Sequence, residues 1–184
     1  MVAQETKPIL DIPEDWRFER ITLPFDFAPE MPYTGFEELR FAPGMFDRSS
    51  ENYFTYLFIA SIKNEKKFSK RAIKNFLTQY YQGLSKAVAG ENKEKLDFSN
   101  ITISVKRNRT IKRKQKNYIA TIVYLDTFNK GEEVILNMEL TVVSNKKNPH
   151  TYLMVMVSPQ EKNHSIWDFM RETLKKITLP KATS

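Results

Sequence analysis

Residues 101–157 hold four apolar segments in succession: Ile101-Thr-Ile-Ser-Val105, Tyr118-Ile-Ala-Thr-Ile-Val-Tyr-Leu125, Val134-Ile-Leu-Asn-Met-Glu-Leu-Thr-Val142 and Tyr152-Leu-Met-Val-Met-Val157. The first and third alternate apolar with polar residues at period two, as a strand with one buried face does. The second and fourth are apolar on both faces, which suits strands covered on both sides. Asn129-Lys130-Gly131 and the stretch Asn145 to Pro149 are short enough for hairpin loops, so the four segments read as an antiparallel meander.

Upstream, Ser69 is placed to cap a helix whose apolar positions Ala72, Ile73, Phe76, Leu77, Tyr80, Leu84, Ala87 and Val88 recur at three- and four-residue spacing, with Gly90 to end it. Before it, Asn52 to Ile62 is aromatic and β-branched on both faces, as a central strand is. Six of the nine prolines fall in the first 43 residues, which excludes long helix there and leaves two short strands, Trp16 to Thr22 and Phe36 to Phe41. Ala42-Pro43-Gly44-Met45 suits a type II turn, since glycine accepts the positive φ of its third position. Downstream, a closing helix begins at Ser165, with Asp168 forming a capping box and Ile166, Phe169, Met170, Leu174 and Ile177 facing the core. Lys175 and Lys176 in its last turn suit the helix dipole.

The order ββ, β, α, ββββ, α predicts an α+β fold, an antiparallel sheet flanked by helices. Its parts are an extended arm over residues 1–15 and a single domain over 16–180. This order resembles the Mog1/PsbP-like sandwich, an opening strand with an aromatic and a proline (Trp16 to Pro24) and a strand running into a helix near Trp167 included. Cystatin-like and hot-dog folds are the alternatives, because they also wrap an antiparallel sheet around one helix. The stretch Gly35-Phe-Glu-Glu-Leu-Arg-Phe-Ala-Pro-Gly-Met-Phe46 resembles a family of uncharacterised bacterial proteins. That likeness implies an exported protein, with a cytoplasmic one as the alternative, and carries over no activity.

The 184 residues suit one core. No run approaches the roughly 20 apolar residues of a membrane-spanning helix. With no cysteine, disulfides, thiolate metal sites and cysteine nucleophiles are excluded. Of the net charge of +7, residues 1–60 contribute −6 (11 acidic, 5 basic) and residues 61–184 contribute +13 (24 basic, 11 acidic). Such asymmetry marks a polyanion-binding face or an acidic N-terminal part lying across a basic body.

Five glycines leave no phosphate-cradling loop or nucleophile elbow. His150 and His164 read as ordinary surface residues, so no metal site and no cofactor is expected. Glu37-Glu38 and Glu132-Glu133 are adjacent carboxylates that a strand points to opposite faces, so neither pair shares acid/base work. Glu38 and Arg40 share a face and are expected to form a structural ion pair. On the polar face of the third meander strand, Asn137, Glu139 and Thr141 orient a ligand if that face is covered and otherwise meet water. Lys106, Arg107, Arg109, Lys112, Arg113, Lys114 and Lys116 place seven cations in eleven residues of a hairpin tip. An acidic protein or anionic surface is the partner they suit. With no aromatic among them to stack on bases, sequence-specific nucleic-acid binding is not expected. The leading expectation is a non-enzymatic binding or accessory protein of the bacterial envelope. The alternatives are a small-ligand carrier or enzyme using the pocket near Glu139, and a weak polyanion binder through residues 106–116.

Overall fold

The computed structural model describes residues 7–63, 68–109, 115–144 and 149–180. Seven strands, β1 Arg17–Leu23, β2 Gly35–Phe41, β3 Tyr56–Lys63, β4 Thr102–Arg107, β5 Lys116–Asp126, β6 Glu132–Ser144 and β7 His150–Ser158, form one antiparallel sheet in the order β1-β2-β3-β7-β6-β5-β4. Helices α1 (Lys70–Val88) and α2 (Ser165–Lys176) cover opposite faces, so the chain is α+β, an antiparallel sheet flanked by helices. Two meanders, β1 to β3 and β4 to β7, meet at the β3–β7 pair, where Phe58 stands opposite Val155 and Leu57 opposite Met156. These two strands are apolar on both faces and buried on both, as expected of a sheet centre.

Ser69 caps α1 by accepting the Ala72 N–H at 3.2 Å. The helix lies over β4 and β5 and buries Ile73, Phe76, Leu77, Tyr80, Tyr81 and Ser85. Tyr81 and Ser85, not Ala87, complete its buried stripe, because the Tyr81 hydroxyl bonds that of Tyr56 and Ser85 Oγ donates to the Leu125 carbonyl at 3.3 Å. Gly83 is required for close approach: a Cβ there would stand 2.2 Å from the Phe27 carbonyl oxygen.

On the other face α2 lies along β7, and its cap is His164, whose Nδ1 accepts the Ile166 N–H at 3.2 Å. The cap is thus one residue earlier than the Ser165 box predicts. Trp167 and Met170 are buried while Phe169 is 46% exposed and leans on Trp16. The Trp167 indole donates to the Gln160 carbonyl at 3.1 Å, which fixes the larger ring inward and rotates the helix away from its expected phase.

Residues 9–16 also cover this face. Glu38 accepts the Leu10 N–H at 2.7 Å and pairs with Arg20, while Arg40 donates to the carbonyls of Leu10, Trp16 and Asp11. Glu38 and Arg40 share a face as expected, but each clamps the arm in place of pairing with the other. The Pro43-Gly44 turn forms with Gly44 at φ 83° and Met45 N–H bonded to Ala42 O at 3.0 Å. Strand β3 starts at Tyr56, later than the apolar run that opens at Asn52, because Phe54 turns the chain with a left-handed φ of 50°.

Candidate functional site

The staggering of the two helices decides where space is left. Because α1 lies over β4 and β5, the β1–β2 half of the same face is covered by loop 24–33 and by the turns of residues 42–55. Between them is a cavity of about 460 Å³. Its sheet wall is Ile21, Leu39, Phe41 and Tyr56, and its helix wall Tyr80, Leu84 and Val88. Phe27, Met45 and Phe54 close it from the loops. A recess with aromatic and aliphatic walls is the usual form of a small-molecule site.

Phe46 and Phe128 stand at its mouth, 44% and 39% exposed, with ring centroids 5.5 Å apart. Large rings left in water beside an apolar cavity are the informative kind of exposure. Phe54 holds its left-handed backbone while almost fully buried against Tyr124, a conformation that costs about 1–2 kcal/mol for a side-chain-bearing residue. Such strain is characteristic of binding sites. Of the described lining residues only Arg17 and Glu19 are charged; they pair at 2.9 Å, and the guanidinium lies 5.9 Å from the Phe41 ring centroid.

Behind this wall lies Glu37, fully buried, with neither carboxyl oxygen in a hydrogen bond of normal geometry. Its partner in register is Ile21, the next residue on its face is Leu39, and the phenol of Tyr80 interacts with its carboxyl; all three line the cavity. Burial drives its pKa well above the ordinary carboxyl value; Tyr80 opposes the shift and Glu19 adds to it. A sequence signal for this existed. Alternation puts Glu37 on the same face as Leu39 and Phe41, an acid in an apolar stripe.

The opposite face carries the residues that alternation singles out. Asn137, Glu139 and Thr141 share that face, and Glu139 and Thr141 line a groove of about 420 Å³ between α2, residues 177–179 and strands β5–β7. Asn137 does not line it and donates to the Gln160 carbonyl at 3.3 Å, while Thr141 donates to Asn117 Oδ1 at 2.9 Å. Glu139 is engaged by Arg171 through Nε at 3.1 Å and Nη2 at 2.6 Å. Lys162 stands 3.8 Å from Glu139, with its ammonium over the Trp167 ring, and burial lowers its pKa to about 8 despite the carboxylate. Ile119 and Ile135 are exposed on the uncovered part of this face, so β5 is not covered on both sides as its composition predicts.

Lys106, Arg107, Arg109 and Lys116 are exposed at the far side of the sheet and form no ion pair among the described residues. Arg107 lies over the Tyr118 ring at 4.9 Å. Lys112, Arg113 and Lys114 lie outside the described residues. His150 bonds Ser61 at 2.8 Å and His164 caps α2, and among the described residues no three or more His, Asp or Glu side chains converge as a metal site. No family model, curated protein or solved structure matches the chain.

Proposed function

We propose that the chain is a non-enzymatic binding protein that holds a small, largely apolar molecule in the cavity between β1–β2 and α1. The observation that carries this is the cavity itself, aromatic-walled and opening between two exposed rings, Phe46 and Phe128. The α2-side groove is less suited to orienting a ligand, because the Glu139 carboxylate is taken up by Arg171 and Thr141 by Asn117. Burial of an aromatic ligand against these walls supplies roughly 25 cal/mol per Å² of apolar surface removed from water, enough for measurable affinity without a charged contact.

Titration calorimetry with 2-naphthylmethanol and 1-octanol tests it. At least one is expected to bind saturably at one site, and Leu84→Trp, which fills the cavity, is expected to abolish that binding while the fold is retained by circular dichroism. Failure of both probes to bind, or binding unaltered in Leu84→Trp, overturns it.

A further inference from the structure

Among the described residues the Glu37 carboxyl has no counter-charge. The titratable groups that act on it are Tyr80 and Tyr81 from α1, Tyr56 from β3 and Glu19 from β1, none of them a cation. Both its oxygens are buried, with the Tyr80 phenol acting on them but no hydrogen bond of normal geometry, directly behind a wall built from Ile21, Leu39 and Tyr80. A buried polar group in that state costs free energy that a complementary ligand group would recover. The cavity walls themselves favour positive charge, since aromatic faces attract cations, and the mouth already shows this in Arg17 lying over Phe41. An anion finds less: Arg17, the one cationic lining residue described, is committed to Glu19 and is 65% exposed.

We propose that the cavity takes an organic monocation, an apolar molecule bearing one ammonium group, and that Glu37 supplies the opposing charge; this rests on the ligand-binding reading above. Without ligand, burial favours the protonated carboxyl. When the ammonium enters, the Glu37 O–H bond breaks, its electron pair stays on the carboxylate, and the proton leaves to solvent. No bond of the ligand changes. Binding is therefore coupled to proton release wherever the free protein holds this proton.

Three probes that share one ring separate the possibilities: 2-naphthylmethylammonium, 2-naphthylmethanol and 2-naphthoate, each titrated into the intact chain and into Glu37→Gln by calorimetry at pH 7. The wild type is expected to bind the ammonium roughly tenfold or more tightly than the other two. Repeating that titration in buffers of different ionisation enthalpy is expected to show release of up to about one proton. Glu37→Gln, which keeps the size and the neutral form, is expected to bind the alcohol as before and to lose both the preference and the proton release. Equal binding of ammonium and alcohol, a preference for naphthoate, or a preference surviving in Glu37→Gln overturns the inference and leaves the cavity reading standing. Failure of all three probes to bind overturns the inference, and failure of 1-octanol as well overturns both.

Discussion

Glu37 and Glu38 are consecutive on β2 and both fully buried, yet their carboxyls stand on opposite faces of the sheet in opposite electrostatic states. Glu38 accepts from the Leu10 backbone and from Arg20; among the described residues Glu37 has neither a cation nor a normally formed hydrogen bond. One pleat of a strand thus separates a saturated structural carboxylate from an unsaturated one.

Glu38→Ala is expected to loosen the arm. It leaves the buried Leu10 N–H without an acceptor, while Arg20, a third exposed, turns to water. The cost is about 1–3 kcal/mol. A lowered urea midpoint together with faster hydrogen exchange at the Leu10 amide checks this; an unchanged Leu10 amide would show that Arg40 alone holds the arm.

Glu37 makes stability depend on pH in a defined direction. Its pKa is raised by burial, so above the unfolded value near 4.5 the folded protein keeps a proton that the unfolded chain has lost. The stability this group provides is complete below that pH and is lost as pH rises through the folded value. Melting temperatures of the wild type and Glu37→Gln between pH 4 and 8 are expected to diverge in favour of the variant toward the alkaline end. Parallel curves would mean that the carboxyl is ionised and paired in the folded state.

The seat of α1 gives a packing prediction. Phe76 is fully buried among Phe25, Phe68 and Tyr80, so Phe76→Ala is expected to cost about 3–5 kcal/mol in chemical denaturation. Gly83→Ala is the more discriminating change. Alanine ordinarily favours a helix over glycine by about 1 kcal/mol, yet here its Cβ meets the Phe27 carbonyl. Net destabilisation and weakened 2-naphthylmethanol binding are expected, since Phe27 lines the cavity. A more stable variant would mean that loop 24–33 yields freely.

Lys162 acts in the opposite sense to Glu37. Burial lowers its pKa from 10.5 to about 8, so between these values the unfolded chain holds a proton that the folded one has released, and stability rises with pH across that window. Lys162→Met removes the penalty of burying the charged form. The variant's advantage in melting temperature is expected at pH 7 and should shrink by pH 10; an advantage that grows with pH would contradict it.

The strands are readable from the sequence because their burial is written into alternation: β6 shows it cleanly from Val134 to Val142, and β3 and β7 declare their central place by being apolar on both faces. The phase of each helix is readable to within one residue or so, and is then set by hydrogen bonds to residues outside the helix, Tyr81 to Tyr56 and Trp167 to Gln160, that the helical pattern does not encode. The cavity is harder still. Phe46 and Phe128 look like ordinary loop aromatics, and Phe54 like part of a central strand, until the offset of α1 leaves the β1–β2 half without a helix. Alternation does place Asn137, Glu139 and Thr141 on one face, but not the arrival of Arg171 from α2 that occupies Glu139.

Because the sheet is open, its outermost strands, β1 and β4, each have one edge that no other strand of the described residues pairs, and such edges invite sheets to join. Arg17, Glu19 and Arg20 stud the first of these and Lys106 and Arg107 the second. Charges on an edge strand discourage a second chain from pairing there, so Lys106 and Arg107 have a use whether or not they bind anything. Neutralising Lys106 and Arg107 would remove that guard, and a greater tendency to aggregate is the expected consequence.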